Sequence, residues 1–171
     1  RNGKNYSAGD FDGTDDLVNF ASDSFLPGTK TGDSLSISMW FMADIAKSAV
    51  LAEQWDMADP SDKSWDLRYE TDHLVFRIND YGSINESSCS GNIYVSPGAW
   101  YHVTATYDDA GNRFRIYLNG RLDCDLEIAY SLGPDNVNSH FHIGAKKNGA
   151  SWTSYFDGLI DDLKIWNYAL T

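Results

Sequence analysis

The chain has 171 residues, of which 42% are hydrophobic and 14% aromatic, enough for one domain with a full core and too apolar for a disordered chain. Its formal net charge of −12 argues against nucleic acid, whose phosphates need a basic surface, and fits a soluble protein of a salty or extracellular milieu, or one that carries cations. No apolar run approaches the length of a membrane span; the longest, around Leu35 to Ala46, is broken by Ser and Asp.

Strand signals follow one another along the chain. "SLSISMWFMA" (Ser34 to Ala43) alternates Leu35, Ile37, Met39 and Phe41 against Ser36, Ser38, Trp40 and Met42. "IAKSAVLAEQW" is the nearest approach to a helix, but its β-branched residues run into a strand-like end. "SWDLRYE" and "HLVFRIN" place Leu67, Tyr69, Leu74, Phe76 and Ile78 on their apolar faces, joined by a hairpin-sized Thr71–Asp72 connector. "WYHVTATYD" sets Tyr101, Val103, Ala105 and Tyr107 on one side. "FRIYLNG" turns Phe114, Ile116 and Leu118 inward before an Asn119–Gly120 turn, and "SHFHIGA" adds Phe141, Ile143 and Ala145. Many short strands with Gly, Asn and Asp turns predict an all-β chain folded as an antiparallel sandwich or jelly roll.

Cys89 and Cys124 are compatible with one disulfide or with two buried thiols, and an extracellular home favours the disulfide. Neither lies in a zinc-ligand spacing. The start at Arg1 rather than Met is expected of a mature or excised piece of a larger secreted protein, with residues 1–171 forming one domain.

The order of "FDGTDDLV", "LSISMWF", "GAWYHVTATYD", "RIYLNG", "HIGA" and "FDGLIDDLKIWNYALT" resembles laminin-G-like, concanavalin A-like jelly-roll domains, over roughly Asp10 to Thr171. The resemblance implies two stacked, curved antiparallel sheets. It leaves function open, because the fold hosts lectins, adhesive modules, carbohydrate-binding modules and glycan-cleaving enzymes. Laminarinase-like relatives would carry Glu, Asp and Glu at alternating strand positions, and no such motif is present. "DCDLE" offers Asp123, Asp125 and Glu127, which read as a solvated strand face. The strand motifs of polysaccharide lyases are also missing, so lyase or hydrolase activity stays a minority expectation beside a non-catalytic one.

Opposite the apolar positions stand Arg68, Arg77, His102, Arg115, His140 and His142. If these strands share the concave sheet, they form a basic groove suited to carboxylate or sulfate groups on a glycan; otherwise they pair with the plentiful acids. Among six tryptophans, Trp40, Trp100 and Trp166 lie inside family motifs and read as scaffold. Trp55, Trp65 and Trp152, with Tyr155 and Tyr81, fall in or beside apparent loops and are candidates for stacking on sugar rings.

Counting by twos from Leu159 puts Asp161 on one face with Leu163 and Ile165, where a carboxylate is costly unless paired or bound to a cation. Backbone N–H groups are one partner for it. The resemblance implies another: a structural Ca²⁺ held by Asp161 with Asp12 and the Gly13 carbonyl region, Asp10 or Asp33 being alternatives to Asp12. Asp56, Asp59 and Asp62 form a weaker second cation candidate. The preferred expectation is a secreted, non-catalytic carbohydrate-binding module that recognises a polysaccharide, neutral or anionic, within a larger parent protein. An adhesive protein-interaction module is the alternative.

Overall fold

The computed structural model describes residues 8–20, 34–55, 63–79, 86–128 and 141–171, which are strands and connections with no helix among them. Tyr81, Asp33, Asp56, Asp59, Asp62 and His140 lie outside the described residues.

Two six-stranded antiparallel sheets face each other. The first contains β1 (Gly9–Asp12), β3 (Leu35–Ala43), β8 (Tyr101–Asp108), β9 (Arg113–Leu118), β10 (Arg121–Glu127) and β14 (Asp157–Trp166), in the order β1-β14-β3-β8-β9-β10. The second contains β2 (Val18–Phe20), β4 (Ala49–Trp55), β5 (Lys63–Glu70), β6 (His73–Asn79), β7 (Glu86–Ser90) and β11 (Phe141–Ile143), in the order β2-β11-β4-β5-β6-β7. A separate hairpin pairs β12 (Lys146–Asn148) with β13 (Ser151–Thr153).

Period-two alternation builds the core, because successive strand residues point to opposite faces. Ile37, Met39, Phe41, Val103, Ala105, Phe114 and Ile116 enter from the first sheet, and Leu67, Tyr69, Leu74, Phe76 and Ile78 from the second. Phe76 meets Phe114 edge-on at 5.8 Å and Tyr107 lies 5.0 Å from the same ring, so aromatic contacts join the layers. The Asn119–Gly120 turn closes β9 onto β10 with φ of 50° and 77°, the left-handed pair that a two-residue hairpin requires. Cys89 on β7 is bonded to Cys124 on β10, Cα to Cα 6.0 Å. The bond fastens the last strand of one sheet's order to the last strand of the other among the described residues.

The alternation fails at Asp161. β14 pairs Asp161 with Trp40 but Lys164 with Ser38, so one extra residue is inserted, and Asp162 has a φ of 52°. Such a bulge reverses which face the following residues occupy. Ile160, opposite Phe41, is therefore in the core, and Asp161 shares the outer face with Trp40. Its carboxylate accepts the N–H of Asp162 at 2.9 Å. The expectation that Asp161 faces the core is corrected: the bulge removes the buried charge that seemed to need a cation.

Candidate ligand-binding face

Five strands of the second sheet bring one outward row of side chains into register. His142 lies opposite Glu53, Glu53 opposite Asp66, Asp66 opposite Arg77, and Arg77 opposite Ser88. A neighbouring row runs Val50, Arg68, Val75, Ser90. The sequence produces these rows by ordinary alternation on β5 and β6, but on β4 a bulge between Val50 and Ala52 turns both Leu51 and Ala52 inward and leaves Glu53 outward.

Glu53, Asp66 and His142 are fully buried although they stand on an outer face. The β12–β13 hairpin lies against β4: Glu53 accepts the Lys147 N–H at 2.7 Å, Val50 donates its N–H to the Ser154 carbonyl at 3.2 Å, and the Trp152 ring meets His142 edge-on at 4.6 Å. Arg77 forks onto Asp66, with Nε 2.8 Å from Oδ1 and a second bond from Nη2 to Oδ2, and reaches Glu86 at 3.0 Å. Burial opposes the Arg77 charge, but Asp66 and then Glu86 raise its pKa above the ordinary guanidinium value. The guanidinium also lies 4.7 Å over the Trp55 ring.

The cations here are incompletely balanced. Arg68 bonds Glu70 at 2.9 Å, and Arg77 is matched by Asp66. The ammonium of Lys146 has its pKa lowered, first by burial and then by Arg68 and Arg77, with Asp66 and Glu53 acting the other way. Glu53 is itself pushed up to about 9 by burial; the Lys147 N–H, Lys146 and Arg68 pull it down, and Asp66 pushes it further up. Burial thus favours the neutral form of Glu53, and Lys146 has no carboxylate at ion-pair distance among the described residues. Such an arrangement has capacity for an incoming anion.

The residues singled out from sequence divide accordingly. Arg68, Arg77 and His142 share this face, with Trp152 beside it, and Tyr155 follows the hairpin half-buried. Trp55 ends β4, fully buried on the same face, and does not occupy a loop. Trp65 belongs to β5 and packs in the core, 5.8 Å from Phe141; the alternation that buries Leu67 and Tyr69 buries it too, so it offers no sugar platform. His102 and Arg115 are on the first sheet, on the far side of the sandwich. There His102 bonds Ser38 at 2.9 Å and burial lowers its pKa, helped by Lys164, while Arg115 approaches Asp125 at 3.5 Å. The groove therefore contains only part of the expected set, and it includes Lys146, Glu53 and Asp66, which sequence reasoning did not select. "DCDLE" is accounted for structurally: Asp123 accepts the N–H groups of Asn92 and Ile93, both at 2.7 Å, and Arg113 engages Asp125 and Glu127.

Of the expected cation ligands, Asp12 and Asp161 stand apart along the sheet. Asp12 lies opposite Asp157, whereas Gly9 lies opposite Ile160, so Asp161 stands about 13 Å along β14 from the level of Asp12 at ~3.3 Å per residue. The Gly13 carbonyl accepts from Lys47 Nζ at 3.4 Å. Instead, carboxylate oxygens of Asp12, Asp15 and Asp16 lie within 4.8 Å of one another.

A family model described as the concanavalin A-like lectin/glucanases superfamily matches residues 12–171. No curated protein matches. Among solved structures, the IT-sialidase CBM40 of Ruminococcus gnavus bound to alpha2,3 sialyllactose superposes with a TM-score of 0.70 at 11% identity, over 90% of this chain and 94% of that one. A single-site variant of NanB sialidase from Streptococcus pneumoniae gives 0.75 at 14% identity, over 96% of this chain but 26% of that one. A heptameric pentraxin from Limulus polyphemus gives 0.63 at 20% identity, over 95% and 76% of the two chains. At these identities the likeness establishes the fold.

Proposed function

The chain belongs to the concanavalin A-like lectin/glucanase superfamily, and from that premise we propose that it is a non-catalytic carbohydrate-binding module whose ligand face is the outer face of the second sheet. The observation that carries this is the cation cluster of Arg68, Arg77 and Lys146, brought to one face by the β5–β6 register and by the β12–β13 hairpin bonded to Glu53, in a protein of net charge −12. Of the neutral and anionic ligands considered from sequence, the cluster favours a sugar that bears a carboxylate. Arg68, 16% exposed at its side chain, supplies donors from a planar fork, Lys146 supplies a point charge, and Trp152 and Tyr155 supply apolar walls at the rim.

The Cys89–Cys124 bond supports a secreted home. The sialidase, of which this chain matches about a quarter, is a precedent for a parent protein with further domains.

Affinity electrophoresis tests the reading. Alginate, pectate and hyaluronan gels should retard the protein more than laminarin or xylan gels. Removing a charge-assisted hydrogen bond, worth about 1.5–3 kcal/mol, by Arg68→Ala or Lys146→Ala should weaken retardation roughly 10- to 100-fold. Retardation by no gel, or by neutral gels alone with both variants unaffected, would overturn it.

The structural Ca²⁺ expected from the resemblance is proposed at the Asp12–Asp16 turn, not across Asp12 and Asp161. Three carboxylates suit a hard cation, and the turn is already shaped by Asp12 accepting the Thr14 N–H at 2.8 Å and by Asp16 accepting the Asp12 N–H at 3.1 Å. Calcium at a hundredfold excess over its Kd should add about 2.7 kcal/mol, or ~5–10 °C in melting temperature for a chain of this size. Asp12→Asn with Asp16→Asn should abolish the gain. Identical melting in calcium and in chelator would refute the site.

A further inference from the structure

On the same outer face, beyond Arg68, the turn between β5 and β6 and the segment after β7 enclose an open pocket of about 400 Å³ lined by Asp72, His73, Ser90, Gly91, Asn92 and Tyr94. His73 and Ser90 occupy the outward positions of their strands, in alternation with Val75, Arg77 and Ser88. The pocket therefore continues the face that carries the cation cluster.

Its frame is held at several points. Gly91 donates its N–H to the Leu74 carbonyl and Val95 to the Asp72 carbonyl, both at 2.8 Å. Asp123 clamps the N–H groups of Asn92 and Ile93, and the buried Tyr69 hydroxyl donates to the Val95 carbonyl at 3.3 Å. A Cβ on Gly91 would come within 2.0 Å of Asp123 Oδ2, so only glycine lets the segment sit this close to its clamp. On this fixed frame Tyr94 is 62% exposed. An aromatic ring held open to solvent on a rigid backbone offers a flat apolar surface with little backbone ordering cost on binding.

The polar groups around it are of the kinds that recognise hydroxyls: one amide, one serine hydroxyl, one imidazole and one carboxylate. Asp72 Oδ1 lies 2.8 Å from His73 Nδ1, which orients the carboxylate and leaves Oδ2 as an acceptor. Among the described lining residues Asp72 is the one carboxylate and no lysine or arginine is present, so an anionic group is disfavoured here. A lone carboxylate is also too few for a calcium site.

We infer that this pocket is a subsite for a neutral sugar ring, which lays its C–H face on Tyr94 and shares vicinal hydroxyls between Asp72 and Asn92. This deepens the carbohydrate-binding reading above and rests on it: the ligand is an oligosaccharide with a carboxylate-bearing residue at Arg68 and Lys146 and a neutral residue in the pocket.

Two-dimensional amide NMR separates the two parts. Methyl α-glucoside, methyl α-mannoside and methyl β-galactoside are titrated singly, and glucuronate separately. At least one hexoside should give saturable shifts at Gly91, Asn92 and Tyr94 that vanish in Tyr94→Ala, weaken several-fold in Asp72→Asn and persist in Arg68→Ala. Glucuronate should shift Arg68 and Lys146 in the parent protein and in Tyr94→Ala alike. If no hexoside moves the pocket amides, or the shifts survive Tyr94→Ala, the subsite is overturned, whatever glucuronate does. If glucuronate moves nothing while a hexoside does, the acidic-ligand reading falls and the neutral subsite stands.

Discussion

Asp66→Ala is expected to destabilise the fold more than any other single surface-side change, by about 3–5 kcal/mol. Asp66 is fully buried and Arg77, its partner, is 16% exposed, so truncation leaves a guanidinium desolvated with only Glu86 at the rim. The loss should appear as a fall of ~6–20 °C in melting temperature. The double variant Asp66→Leu with Arg77→Met should recover most of it, because the cost lies in stranding a charge and not in losing an attraction. Equal destabilisation in the single and double variants would show that the pair acts through shape alone.

Removal of the disulfide by Cys89→Ser with Cys124→Ser is the second large effect. The bridged positions are 35 residues apart, and the chain-entropy relation for a loop of that size gives about 4 kcal/mol, or ~8–16 °C. Position adds to this. The bond ties β7, at the end of the second sheet's strand order, to β10, at the end of the first, where each has a sheet neighbour on one side only among the described strands. Hydrogen exchange in the oxidised and reduced protein should show the largest loss of protection on β7 and β10. A uniform loss along the chain would show that the bond stabilises globally and does not fasten an edge.

How much of this was legible follows from what alternation can encode. Leu35, Ile37, Met39 and Phe41 announce their face because nothing interrupts the period, and the same holds for Phe114, Ile116 and Leu118. Asp161 misleads because a bulge one residue later shifts the register, and local sequence carries little sign of an inserted residue. Glu53 is hidden for the same reason, behind the bulge on β4. Trp65 was legible after all: it stands two residues before Leu67, and only the polar loop-like composition upstream suggested otherwise.

Sheet membership is the larger gap. Arg68, His102 and Arg115 look alike in sequence, each flanked by core residues, yet strand order places the last two on the opposite side of the sandwich. Lys146 and Tyr94 gain their significance from what lies across from them, the Glu53 row and the Asp72 turn, and that is long-range information. The family resemblance supplied the fold and left the location of function to the structure.

The central claim is that the outer face of the second sheet binds a carboxylate-bearing sugar. The most direct measurement is a crystal structure of the protein with a hyaluronan hexasaccharide, in which carboxylates alternate with neutral rings. The account predicts a carboxylate within hydrogen-bond distance of Arg68 and Lys146, with the adjoining chain directed toward Tyr94. An oligosaccharide seated instead on the first sheet, against His102 and Arg115, would contradict it.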